Sequence, residues 1–355
     1  MWRLRPPVSP ADRCRTKDVR SSEVTRPVAG RSDRGPAASD ATGTDLGSVG
    51  EFGVIDLVTA GMTQPASTLL GPGDDAAVVS SPDGRVVVSV DMLVDGVHFR
   101  SDWATPEQIG RRAALASLSD IAAMGAVPTA LVVAISAPAA TPVDVLTGIA
   151  AGLQAVAAEV GAGVVGGDMT RSEQLTISVT VMGDLQGAAP VLRSGAKVGD
   201  NLAIAGRIGW AAAGLAVLSR GFRSPAVAVA AYRVPEPPLA AGIAAAAAGA
   251  TSMIDVSDGL LADLGHISTA SGVSIDVRTI ALDVNPRLKE VASALGKDAL
   301  AWVLTGGDDH ALVATFPAGT TLPAPWQVIG SVGAGSGVTV DGRPYEGPTG
   351  WDHYR

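Results

Sequence analysis

Ten aspartates sit in short glycine- or serine-flanked knots spread along the chain. They are Asp74 and Asp75 in GPGDDAAVV, Asp91 and Asp95 in SVDMLVDGVHF, Asp120 in SLSDIAAMGA, Asp168 in VGGDMTR, Asp255 and Asp258 in IDVSDGLLADLG, and Asp308 and Asp309 in GGDDHAL. Carboxylates gathered together repel one another unless a cation stands between them. Hard oxygen donors with no matching set of Cys or His favour Mg²⁺ over zinc, and Mg²⁺ usually completes its shell with water and substrate phosphates. The residue types therefore point to metal-assisted chemistry on phosphates.

An aspartate beside a glycine often does no more than shape a turn, and Asp83-Gly84 and Asp341-Gly342 read as hairpin turns of that kind. Asp91, Asp120 and Asp255 are different, because each follows an apolar strand or lies on an apolar helix, where a lone carboxylate is costly to bury. Cations near them in the sequence are few, so metal ligation accounts for the set more economically than salt bridges do. Other phosphate and nucleotide devices are missing. The single G-x-G-x-x-G, at Gly161, Gly163 and Gly166, follows a helix and precedes a strand, the reverse of a dinucleotide fingerprint. No Walker motif, kinase H-R-D/D-F-G pair or Ser–His–Asp arrangement is visible.

Composition narrows the class further. The 355 residues allow two domains, and 47% hydrophobic content with only 4% aromatics calls for a core of Ala, Val, Leu and Ile. The net charge of −9 argues against nucleic acid. It would also repel phosphate substrates, and bound metal ions are the natural remedy. Cys14 is the only cysteine, which excludes an intrachain disulfide and a Cys-based zinc site, and His98, His266, His310 and His353 lack zinc spacing. The longest Ala-rich stretch, Ala226 to Ala250, is interrupted by Tyr232-Arg233 and Glu236-Pro237-Pro238, so no membrane span is expected and a cytoplasmic location is.

The elements that must position the aspartates can be read from periodicity. Residues 1–46 are rich in Arg, Ser and Pro without a hydrophobic period and are expected to be a disordered basic tail. A helix is expected from about Glu51 to Gly61. Val86–Val90 reads as a buried strand ending at Asp91, and Pro106–Met124 as a buried helix carrying Asp120. Leu131–Ser136 is the next strand and Val143–Val160 the next helix. Val164-Val165 then leads into a Gly166-Gly167-Asp168 turn. Leu175–Met182 alternates as a strand, Arg193–Asp200 forms a connecting turn, Asn201–Ala205 is a strand, and Trp210–Arg220 is a helix. Mixed strand pairings with interspersed helices give an α+β or α/β class in two halves, 47–188 and 189–355. Asp263, on the helix after Asp258, reads as solvent-facing or structural.

The segments GPGDDAAVV, SVDMLVDGVHF, LASLSDIAAMGAVP, VGGDMTRS, RSGAKVGDNL, IDVSDGLLADLGHI, GGDDHAL and GWDHY occur in the order found in thiamine-monophosphate kinases. From about Glu51 to Tyr354 the chain resembles that family, in the superfamily typified by aminoimidazole ribonucleotide synthetase. The resemblance implies a two-domain fold, a homodimer formed through N-terminal strands, and transfer of the γ-phosphoryl group of ATP to thiamine monophosphate with several Mg²⁺ ions. Asp75, Ser89, the Val90 carbonyl, Asp91, Asp120, Asp168, Asp255 and Asp258 match metal-ligand positions. Gly167, Asp168, Arg193 and Ser257 match nucleotide contacts, while His98, Asp308 and Trp351 match substrate contacts. Asp91, Asp120, Asp258 and Arg193 are the expected catalytic group. Two departures stand out: Asp308 replaces the usual glutamate, and Val90 lacks the hydroxyl usual at its position. Relatives that use a reactive or C-terminal cysteine fit less well, since Cys14 lies outside any such motif. A non-catalytic regulator would be expected to have lost aspartates that are all present here.

Overall fold

The computed structural model describes residues 45–72 and 76–351. Most of the expected basic tail, and the Asp74-Asp75 knot with its candidate ligand Asp75, lie outside them. The described chain starts earlier than the sequence suggests. Asp45 and Ser48 close a capping box over a short helix α1 (Leu46–Val49), followed by α2 (Glu51–Thr59). Two short strands, β1 (Thr68–Leu70) and β2 (Val78–Val79), form an antiparallel pair.

A four-stranded sheet follows, built from β3 (Val87–Val94), β4 (Val127–Ala137), β5 (Gly163–Arg171) and β6 (Thr176–Asp184) in the order β3-β6-β4-β5. β4 and β5 are parallel and joined by helix α4, while the other pairs are antiparallel. Helices α3 (Pro106–Ala123) and α4 (Val143–Glu159) pack against the sheet. Ile177, Val179 and Val181 of β6 are fully buried, whereas the residues between them are only partly so. Thr105 and Gln108 form a capping box with Pro106 in the first turn, which fixes where α3 begins. The two helices touch backbone to backbone: a methyl group on Gly110 would overlap the Ile149 carbonyl, and one on Gly152 would overlap the Glu107 carbonyl.

Two sequence expectations give way here. The Val86–Val90 run forms the edge strand rather than a buried one, and it continues through Asp91 to Val94. Val88, Val90 and Met92 remain more than half exposed because only the opposite face, with Ser89, Asp91 and Leu93, meets α3. β-Branched density announces a strand without saying how many of its faces are covered. The Gly166-Gly167-Asp168 segment is likewise no turn. β5 runs straight through it, and Val165 is absorbed as a bulge between the pairs Leu131–Val164 and Val132–Gly166. Glycine is needed at 167 because a side chain there would strike the Val133 carbonyl.

The remaining strands make a seven-stranded sheet in the order β13-β12-β9-β11-β7-β10-β8. They are β7 (Asn201–Ala205), β8 (Ser252–Val256), β9 (Ser274–Val277), β10 (Ala311–Phe316), β11 (Gln327–Gly333), β12 (Gly337–Val340) and β13 (Arg343–Pro344). All pairs are antiparallel except β9–β12. Six helices accompany this sheet: α5 (Trp210–Ser219), α6 (Ala226–Arg233), α7 (Leu239–Ala247), α8 (Leu260–Ser271), α9 (Pro286–Leu295) and α10 (Ala299–Thr305). The two sheets share no strand, and α3 lies between them, with Gly242 of α7 close against its Ala122 carbonyl.

Candidate active site

The C-terminal turns of α3 bring Asp120 to the covered face of β3, where the Ser89 hydroxyl donates to it at 2.5 Å. Burial pushes the Asp120 carboxyl up to about 6, and the nearby charges of Asp255 and Asp91 add to the shift, against the Ser89 hydrogen bond. Asp255, near the end of β8, stands on the other side of a cleft of about 1070 Å³ also lined by Ser89, Asp120 and Arg193.

Asp255 has a different environment. Burial alone would raise its pKa, but hydrogen bonds with His310 and Ser119 and the His310 charge prevail and hold it below the usual carboxylate range. His310 is raised in turn: its partnership with Asp255 outweighs the effect of burial. The His310 Nδ1 and Ser119 Oγ lie 3.1 and 2.7 Å from the same Asp255 oxygen. Ser119 Oγ also lies 3.2 Å from His310 Nδ1, so the three side chains form one buried, hydrogen-bonded clamp.

The loop after β8 carries Ser257 and Asp258. Asp263 is buried on α8 and accepts the N–H groups of both Asp258 and Gly259 at 3.1 Å, so it is structural and not solvent-facing. Burial, with a contribution from Asp255, pushes Asp263 up to about 7. The Asp308 N–H donates to the Ser257 carbonyl at 2.8 Å, and the Trp351 N–H donates to the Asp258 carbonyl at 2.9 Å. Backbone hydrogen bonds thus tie the expected substrate contacts Asp308 and Trp351 to the expected ligand loop. His98 follows β3, and its Nδ1 accepts the Val94 N–H at 3.0 Å, which leaves the neutral ring's proton on Nε2.

Gly167 and Asp168 lie elsewhere, on the wall of a mainly apolar pocket of about 630 Å³ lined also by Ile55, Val58, Ile135 and Leu153. The structure therefore places Ser89, Asp120, Arg193 and Asp255 on one cleft, with Asp91 within electrostatic reach of Asp120. Among the described residues, no three Asp, Glu, His or Cys side chains converge on a single metal position. The donor chemistry nonetheless suits Mg²⁺, because carboxylates are hard oxygen ligands.

Three residues with evident roles were not singled out from sequence: His310 and Ser119 hold Asp255, and Arg112 forms an ion pair with Asp308 at 2.9 Å. Asp263, read as solvent-facing or structural, takes the structural role and holds the Asp258 backbone. The signal for His310 is its place directly after GGDD. Ser119 and Arg112 share the helix of Asp120, where helical periodicity alone assigns them to packing. Asp309 is also buried: it accepts the Ala211 N–H at 2.8 Å at the start of α5, and burial pushes it up to about 7.

Residues 73–185 match the family model for the N-terminal domain of AIR synthase related proteins. The chain is 51% identical over 311 residues to the thiamine-monophosphate kinase of Mycobacterium tuberculosis, covering 87% of this chain and 93% of that protein. It is also similar to the crystal structure of the Stenotrophomonas maltophilia thiamine-monophosphate kinase, with a TM-score of 0.72, 33% identity, and 82% and 95% of the two chains covered. A structure of AaThiL complexed with AMPPCP and TMP superposes with a TM-score of 0.72 at 29% identity, covering 88% of this chain and 99% of that one.

Proposed function

The chain belongs to the thiamine-monophosphate kinase family, and we propose that it transfers the γ-phosphoryl group of ATP in line to thiamine monophosphate, giving thiamine diphosphate and ADP. The observation that carries this reading is the convergence of Ser89, Asp120, Asp255 and Arg193 on one cleft. The 51% identity to a curated kinase and the likeness to a complex with a nucleotide analogue and TMP support it.

The attacking group is an oxygen of the acceptor's own phosphate. With a second pKa of about 6 it is largely ionised at neutral pH and needs no general base. What the protein must do is hold two repelling polyanions in line. Arg193 reaches the cleft as an exposed cation and takes the donor phosphates; the family resemblance adds Ser257, and Gly167 on the separate apolar pocket, as nucleotide contacts. The apolar pocket beside Gly167 takes the adenine ring. His98, Asp308 and Trp351 receive the acceptor, whose cationic thiazolium suits a carboxylate and a broad exposed indole.

Mg²⁺ would be held by Ser89, the Val90 carbonyl, Asp91, Asp120, Asp168, Asp255 and Asp258, with Asp75 from outside the described residues. When bound, it supplies neutralisation of phosphate charge. The carboxylates keep the donor end of the cleft anionic, and the clamp on Asp255 holds that side chain in one orientation.

The exposed apolar stripe Val88, Val90 and Met92 on an edge strand supports a homodimer formed on this sheet. We place the reaction in the cytoplasm, where ATP is plentiful; among the described residues no helix is long and apolar enough to cross a membrane. The division into 47–188 and 189–355 domains belongs to the same proposal.

The test is ADP release from ATP and Mg²⁺ with and without thiamine monophosphate. Stimulation by the acceptor, with thiamine diphosphate formed one for one and activity lost in EDTA, is the expected result. Release unaffected by thiamine monophosphate refutes the acceptor assignment.

A further inference from the structure

Arg112 is 4% exposed, on the part of α3 that faces the sequence-distant segments 232 and 308. Its guanidinium has three partners. One nitrogen pairs with an Asp308 carboxylate oxygen at 2.9 Å, another donates to the Tyr232 carbonyl, and the guanidinium carbon lies 4.9 Å from the centre of the Tyr232 ring. Tyr232 is buried and meets the Trp103 ring edge-on at 5.8 Å, and Arg100 covers the other ring at 4.5 Å. A stack of Arg100, Trp103, Tyr232 and Arg112 thus runs from the segment just after His98 to Asp308.

Asp308 itself is fixed at both ends. Its backbone lies in the left-handed region at φ 67°, an unusual conformation for a residue other than glycine, with its N–H on Ser257. Its side chain remains 46% exposed although Arg112 holds it from the buried side. The guanidinium thus orients a carboxylate that still faces solvent, beside the Ser257 loop.

We infer that Arg112 is a positioning residue for acceptor recognition: through its ion pair with Asp308 and its seat on Tyr232 it sets where the Asp308 carboxylate meets the thiamine end of the acceptor. The inference rests on the reading that Asp308 contacts the acceptor. Arg112 is buried, so its removal should weaken acceptor binding through Asp308 and leave the handling of ATP intact.

Steady-state kinetics of the full chain with ATP, Mg²⁺ and thiamine monophosphate provide the test, using Asp308→Asn, Arg112→Met, Arg112→Lys and the Arg112→Lys/Asp308→Asn double variant. Arg112→Met and Asp308→Asn should each raise KM for thiamine monophosphate by roughly tenfold or more, the scale of one charge-assisted hydrogen bond. KM for ATP and kcat should stay within about threefold, since neither group meets the nucleotide. Arg112→Lys keeps the charge but not the forked geometry, so it should fold and raise the acceptor KM by about threefold. The double variant should then be no worse than Asp308→Asn alone. If Asp308→Asn impairs acceptor binding while Arg112→Lys does not, or if the two effects multiply, the positioning role is overturned and the acceptor reading stands. Arg112 variants that raise both KM values and lower kcat together mark a general structural role and overturn it as well. An unchanged acceptor KM in Asp308→Asn removes the acceptor reading, and the inference falls with it.

Discussion

Asp120 and Asp255 face a common cleft, and each feels the other's charge, yet their surroundings differ in kind. Asp255, on the seven-stranded sheet, has a histidine nitrogen and a serine hydroxyl on one oxygen. Asp120, against the four-stranded sheet, has one serine hydroxyl, and Asp91 adds to its negative surroundings. One wall is balanced by the chain itself. The other is left electrostatically incomplete, the arrangement expected where charge balance is to come from a ligand.

The sharpest way to break this contrast is to neutralise the incomplete wall. Asp120→Asn or Asp91→Asn should lower thiamine diphosphate formation by about 10³-fold or more, while the melting temperature without ligands holds or rises. A folded Asp91→Asn protein with near-normal turnover would sink the metal-ligand assignment. Damage to the balanced wall should appear as lost stability instead. His310→Leu leaves Asp255 buried without its histidine partner and is expected to cost about 3–5 kcal/mol in urea unfolding. Arg193→Met removes the exposed cation between the walls; it should lower kcat by about 10²-fold with unfolding unchanged.

The smallest effect concerns a carboxylate away from the cleft. Asp309, at about 7 when folded, binds more protons in the native than in the unfolded state, so its contribution is fully present below the unfolded pKa and is lost as pH rises through the folded value. Asp309→Asn keeps an acceptor for the Ala211 N–H and carries no charge. Its melting temperature relative to wild type should therefore increase by on the order of 2 °C between pH 5 and pH 8. A difference independent of pH would show that Asp309 is not protonated at the lower end.

Much of this was legible beforehand because local rules decided it. Pro106 after Thr105, with Gln108 following, fixes the start of α3, and the strict alternation in β6 gives its two faces. The Asp knots were legible as a family pattern, since their spacing survives without knowledge of the fold. What escaped was tertiary. Nothing local says that Val88 and Val90 lie at an edge, because exposure depends on which strands pair. His310 and Arg112 gain their roles from partners 55 and 196 residues away, at distances where periodicity carries no information. Asp263 was misread in part because a helix surface pattern does not show that its carboxylate folds back onto N–H groups four and five residues earlier.

The glycine contacts around α3 have an evolutionary consequence. Gly110, Gly152 and Gly242 each sit where even alanine would collide with a neighbouring backbone, so those positions are closed to drift unless a whole helix moves. α3 carries Arg112, Ser119 and Asp120 together, and moving it would misplace all three at once. Lineages of this chain should therefore vary first at exposed helix positions such as Arg287, Lys289, Glu290 and Ser293 of α9, while these three glycines change last.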